Sequence, residues 1–151
     1  MGYKIECRSC KSSTWAHNIV QLFEKHTHKK SGRFTCSHCH GMDTYIYRES
    51  KLQEQDEVWK RWIKGVIRID AQSETYFPYV FLTSQREDGP IQGLHFHYYK
   101  DTREQGGRLK HGHGPGGPPV LRIDDVFVIL ERLVSQGVIS SESVKKFADG
   151  L

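Results

Sequence analysis

The apolar positions of the chain change period several times, and each change predicts an element. Trp15, Ile19, Leu22, Phe23 and His26 recur at three- and four-residue intervals, which predicts a helix over roughly residues 15–28. Arg33-Phe34-Thr35 and Thr44-Tyr45-Ile46-Tyr47-Arg48 read as two strands of a hairpin. From Lys51 to Ile63 the apolar residues are Leu52, Val58, Trp59, Trp62 and Ile63, the spacing of an amphipathic helix with an aromatic stripe for packing. Gly65 to Asp70, Tyr76 to Ser84 and Ile91 to Tyr99 read as three strands of an antiparallel meander, with Glu87-Asp88-Gly89-Pro90 as the last turn. Pro78 has no N–H to donate, so its strand is expected at an edge or a bulge. Val120 to Ile123 reads as a fourth strand. Asp124 or Asp125 then caps a helix that Gly137 ends, and a second helix completes a carboxy-terminal hairpin.

The 151 residues suffice for one ordinary domain or two small ones. The longest apolar runs, such as Val126-Phe127-Val128-Ile129-Leu130, fall far short of the ~18–20 residues of a membrane-spanning helix, so no membrane partner is expected. The segment Met1 to Cys7 lacks a signal-type apolar region, and Glu6 stands where a myristoylation motif wants Ser or Thr. A reducing cytoplasm is therefore the expected location. The net charge of +4 is concentrated in residues 1–49, which hold eight Lys and Arg against four Asp and Glu. That excess permits contact with nucleic acid or an acidic protein surface.

All four cysteines fall in two pairs, Cys7-Arg8-Ser9-Cys10 and Cys36-Ser37-His38-Cys39, with 25 residues between the inner members. Each CxxC turn presents two sulfurs from one tight knuckle, and two facing knuckles place four thiolates at the corners of a tetrahedron. A disulfide framework needs an oxidising compartment, and a redox CxxC has no use for a second copy. Iron shares the thiolate geometry, but ligand type and spacing favour Zn²⁺ as the cofactor. Four thiolates leave no open position for water, so the expected role of the metal is structural.

Residues 3–49 thus resemble a zinc ribbon or related zinc-finger module. The resemblance implies Cys7, Cys10, Cys36 and Cys39 as ligands, strands flanking the knuckles, and binding of nucleic acid or protein. The helix expected between the knuckles departs from the usual short ribbon strands. The fold class is α+β: an N-terminal zinc-knuckle module (1–49), then a domain (50–151) with a small antiparallel sheet and C-terminal helices.

Eight of the nine histidines occur as His-x-His, namely His26/His28, His38/His40, His95/His97 and His111/His113. On a strand, His95 and His97 share a face with Tyr99, and Leu94, Phe96 and Tyr98 are expected to face the core. If the Gly- and Pro-rich loop from Lys110 to Pro119 folds back, His95, His97, His111 and His113 surround a second metal, an anion or a water to be deprotonated. His38 and His40 flank a filled cysteine site and are expected at the surface. Lys25, Lys29, Lys30 and Arg33, beside His26 and His28, form the candidate nucleic-acid contact.

The chain has no phosphate-binding Gly-x-x-x-x-Gly-Lys loop, no Gly-x-Gly-x-x-Gly, no Gly-x-Ser-x-Gly elbow and no His-Glu-x-x-His helix. The leading expectation is a zinc-containing module that binds nucleic acid or protein. The alternatives are a metal-dependent hydrolase or nuclease built on the four histidines, and a structural component that self-associates through its terminal hairpin.

Overall fold

At the amino terminus Tyr3, Ile5 and Cys7 turn inward while Lys4 stays in solvent, and this two-residue period makes Tyr3–Cys7 the first strand, β1. The computed structural model describes residues 2–51, 58–112 and 119–151. The further strands are β2 (Ser13–Ala16), β3 (Thr44–Lys51), β4 (Val58–Arg68), β5 (Tyr76–Ser84), β6 (Gly93–Asp101) and β7 (Leu109–His111). They form one antiparallel sheet in the order β2-β1-β3-β4-β5-β6-β7, and the helices are α1 (Ile19–Lys25), α2 (Ile123–Ser135) and α3 (Ser141–Asp149). The expected α+β class, with cysteines in the N-terminal region and helices at the carboxy terminus, is present. The chain divides into two compact units, Met1–Val66 with Phe81–His95, and Ile67–Val80 with Phe96–Leu151.

In the first unit, β1 and β2 form a hairpin with Tyr3 opposite Ala16 and Glu6 opposite Ser13. The helix expected from residue 15 therefore starts later, at Ile19, and ends at Lys25. Asn18 sets that start, because its side chain accepts the Gln21 N–H at 2.9 Å. Trp15 lies on β2 instead, 59% exposed. Ile19, Leu22 and Phe23 of α1 are buried, in a core that also holds Ile5, Ala16, Phe34, Ile46 and Leu82.

The helix expected from Lys51 to Ile63 is also absent among the described residues; β3 reaches Lys51 and β4 starts at Val58, with 52–57 outside the described residues. Pairing with β3 decides this, since Ile46 lies opposite Ile63 and Tyr47 opposite Trp62, their rings 5.0 Å apart. Arg33 and Phe34 do not make the expected hairpin with β3; they form isolated bridges to Gly65 and Thr27. A side chain on Gly65 would meet the Gly32 carbonyl at 2.7 Å, so the residue must be glycine for the segment carrying Arg33 to approach β4.

In the second unit aromatic rings couple neighbouring strands: Phe77 stacks on Tyr99 at 4.8 Å, and Tyr76 lies 4.8 Å from Tyr98. Pro78 sits on β5, an interior strand, rather than at an edge. Its carbonyl accepts the Ile69 N–H, and Ile69 lies one residue past the end of β4, so the missing proline donor falls where the ladder already stops. The faces of β6 depart in part from expectation: Tyr98 is buried as expected, but Leu94 is 37% and Phe96 41% exposed, while Tyr99 is buried and His95 and His97 are half-buried. Among the described residues, the expected strand at Val120 to Ile123 is not formed. The strand in this region is β7, which pairs with β6.

Helix α2 starts at Ile123 with Arg122 as its N-cap; neither Asp124 nor Asp125 holds the cap position. Asp125 acts from the third position instead. It is 2% exposed, accepts the Arg122 N–H at 2.8 Å, pairs with the Arg122 guanidinium at 2.8 Å, and accepts from Gln72 at 2.9 Å. At the other end Gly137 takes φ +70°, and the N–H groups of Gly137 and Val138 close on the carbonyls of Val134 and Leu133. Ser140 caps α3, which buries none of its side chains.

The Arg122 hydrogen bonds outweigh burial and hold the Asp125 carboxyl below its usual range. Its contribution to stability is therefore complete above pH ~4 and is lost as the pH falls through the lowered folded value. Asp125→Asn is expected to cost about 1–3 kcal/mol at neutral pH and to flatten the loss of stability below pH ~4, checked by thermal melts across that range.

Candidate metal centre

The two knuckles have the same backbone plan. In the first, the Cys7 N–H donates to the Ser12 carbonyl at 3.0 Å and the Lys11 N–H to the Cys7 carbonyl at 3.0 Å. In the second, the Cys36 N–H donates to the Gly41 carbonyl at 3.0 Å and the His40 N–H to the Cys36 carbonyl at 2.9 Å. Each turn needs a left-handed residue directly after its second cysteine, and Lys11 (φ 61°) and His40 (φ 56°) take that role without being glycine. Cys7 ends β1, and Cys36 follows the bridged pair Arg33 and Phe34, so both turns are anchored in the core of the first unit. Cys7 and Cys36 are buried, whereas Cys10 and Cys39 face solvent.

The four sulfurs all lie within 4.8 Å of one another, with Cys7 to Cys39 and Cys10 to Cys36 both at 3.6 Å. Thiolates held at ~2.3 Å around one ion in a tetrahedron are about 3.8 Å apart. The knuckles are thus spaced to hold a metal ion, and the four cysteines are the ligand-sized cluster of three or more Cys, His, Asp or Glu among the described residues.

Hydrogen bonds to sulfur tune the set. The Ser12 hydroxyl lies 2.8 Å from Cys10 Sγ and 3.4 Å from Cys36 Sγ, and the His38 N–H donates to Cys36 Sγ at 3.4 Å. Burial pushes the Cys36 thiol up, but the Ser12 hydroxyl and the N–H groups of Cys39 and His38 together bring it down to about 6. At Cys39 the Gly41 N–H favours thiolate, yet the sulfurs of Cys10 and Cys7 outweigh it and raise the thiol to about 11. Sulfurs this close share protons when no cation is present, and a divalent ion would take the place of those protons.

Ser12 is a site residue that the cysteine spacing did not reveal. Thr14 and Ser37 are two more: their hydroxyls lie 2.7 Å apart and tie β2 to the second knuckle. His38 and His40 are exposed, as expected beside the knuckle, and they contribute backbone groups to it. Of the histidines proposed for a second site, His95 in the first unit has Arg61 Nη1 at 2.6 Å from its Nε2. In the second unit His97 stacks on Tyr79 at 5.5 Å, and His111 lies on β7 opposite Tyr99. His113 lies outside the described residues. Lys25, Lys29 and Lys30 are exposed at and after the end of α1, while Arg33 is half-buried.

Comparison with known proteins finds no family model, no curated protein and no solved structure that matches the chain.

Both left-handed residues carry side chains that disfavour this backbone. Lys11→Gly and His40→Gly are each expected to stabilise the protein by up to about 1 kcal/mol, while valine at either position costs about 1–2 kcal/mol, as measured by thermal melts of the metal-loaded chain.

Proposed function

We propose that the chain is a zinc-ordered binding module of the zinc-ribbon type, with a structural Zn²⁺ on Cys7, Cys10, Cys36 and Cys39 and a nucleic acid as its partner. The observation that carries the metal reading is the meeting of two matched knuckles at sulfur separations close to those of a four-thiolate tetrahedron. Four sulfur donors suit Zn²⁺, and a closed set of four gives the ion an architectural task with no position for substrate. When bound, the ion would fix the ends of β1 and of the Arg33–Phe34 segment and hold the hairpin and α1 between them.

The partner reading rests on charge. The excess of Lys and Arg lies in the metal-bearing part of the chain, and Lys25, Lys29 and Lys30 stand exposed beside α1. Long flexible cations in that position suit the evenly spaced phosphates of a polynucleotide better than a compact neutral ligand.

Metal analysis of the purified chain is expected to give one zinc per molecule, lost in Cys7→Ser or Cys36→Ser and retained in the double variant His95→Ala, His97→Ala. A zinc content untouched by the cysteine changes would overturn the metal reading. Binding to a single-stranded oligonucleotide is expected to weaken steeply with salt, and replacing Lys25, Lys29 and Lys30 with Gln should lower the slope of log K against log salt by about 0.7 per lost contact. Absence of binding at low salt would remove nucleic acid as the partner.

A further inference from the structure

Beside the second knuckle the first unit has a cleft that the cysteine chemistry does not use. Arg8, Arg33, Thr44 and Lys64 line it, with Asp43 and Asp88 also on its wall. The cations come from three separate places: Arg8 lies within the first CxxC turn, Arg33 three residues before Cys36 of the second, and Lys64 on β4. The close approach at Gly65, where Arg33 bridges β4, brings the last two together.

The three charges are compensated unequally. Arg8 reaches Asp43 at 3.5 Å and Glu87 at 3.7 Å. Lys64 is only 6% exposed; among the described residues its ammonium donates to the Glu87 carbonyl and lies 5.6 Å from the centre of the Tyr45 ring, and it forms no ion pair within 4.0 Å. The Arg33 guanidinium, half-buried, has neither a hydrogen bond nor an ion pair among the described residues. Asp43 on the same wall acts favourably on both charges and Glu87 on that of Lys64, but among the described residues neither cation has a carboxylate within 4.0 Å, and two such cations gathered on one cleft can take an anion from outside. Arginine supplies a planar fork of donors and lysine a point charge, a combination suited to the oxygens of a tetrahedral anion.

We propose that this cleft binds a phosphate group, held by Arg33 and Lys64 with Arg8 at the rim. The group is either a phosphodiester of the nucleic-acid strand or a free phosphate. This inference rests on the nucleic-acid reading above only for the source of the phosphate.

The test uses the zinc-loaded full chain, with inorganic phosphate and a single-stranded oligonucleotide as separate probes, followed by NMR of the backbone amides and the Arg33 side-chain N–H. Phosphate is expected to shift the Arg33 and Lys64 signals saturably. Arg33→Gln and Lys64→Met should each weaken phosphate binding at least tenfold. Arg33 is half-buried and on a loop, so Arg33→Gln keeps the test decisive if Lys64→Met fails to fold. An oligonucleotide that displaces phosphate identifies the strand as the source. Phosphate binding without any oligonucleotide binding keeps the cleft and overturns the nucleic-acid reading. Oligonucleotide binding unaffected by Arg33→Gln, with no saturable phosphate shift, overturns the cleft and keeps that reading. Loss of zinc affinity in Arg33→Gln with phosphate binding intact would show that the cations only screen the thiolate charge, and would also overturn the proposal.

Discussion

The convergence of sulfur atoms from two turns 26 to 32 residues apart is the constraint on which the first unit depends. The elements that lead into and lie between the turns are small: β1 has five residues, β2 four and α1 seven. A helix of that length and an isolated hairpin are each marginal in water, and a core of Ile5, Ala16, Ile19, Leu22 and Phe34 gives them limited apolar area. A shared ion would close the loop and supply what such a core lacks. The hydroxyl ties from Ser12 to sulfur and from Thr14 to Ser37 operate within that closure, since they join β2 and its approach to the second knuckle.

The cysteine pairs were legible because a CxxC turn is local chemistry: two donors at fixed spacing give one bite, whatever surrounds them. The helices at the carboxy terminus were legible for a similar reason, as Gly137 and Ser140 punctuate them with backbone geometry that few residues provide. In residues 15–28 the pattern is ambiguous, because Trp15 stands four residues before Ile19, a spacing that suits a helix but does not require one. The stronger local signal was Asn18, whose side chain fixes the start of α1. Val58 to Ile63 failed differently. Its apolar spacing fits a helix, but β-branched and aromatic residues also fit a pleated surface, and only the partner strand, with Tyr47 against Trp62, decides between them.

The faces of β6 illustrate a further limit. Alternation establishes that His95 and His97 share a side and that Leu94 and Phe96 share the other; it does not say which side is inward. Tyr99 and the stacked pair Tyr79 and His97 fill the histidine side, and Leu94 and Phe96 are left in solvent. Tyr98, on the same side as Leu94 and Phe96, is buried nonetheless, its ring 4.8 Å from that of Tyr76. The cleft of Arg8, Arg33 and Lys64 was illegible for the most basic reason: its members are distant in sequence, and no spacing rule connects them.

The cleft also bears on how charge is distributed around the sulfur cluster. Four thiolates with one divalent ion carry a net charge of −2, which nearby cations stabilise. Screening of that charge accounts for Arg8, which lies within the first knuckle, but it gives no reason to bury Lys64 under the ring of Tyr45. Burial, and then the neighbouring Arg8, disfavour the charged form of Lys64, and burial does the same for Arg33, while Asp43 favours both charges without cancelling the effect. Folding has therefore already removed much of the water from these two cations. An anion that reaches them gains attraction without stripping that water again, whereas the exposed Lys29 and Lys30 must exchange their hydration on contact. The fold thus separates two kinds of basic residue: exposed cations, which on the proposed reading would draw a polyanion in, and partly dehydrated ones, which would hold a single anionic group in place.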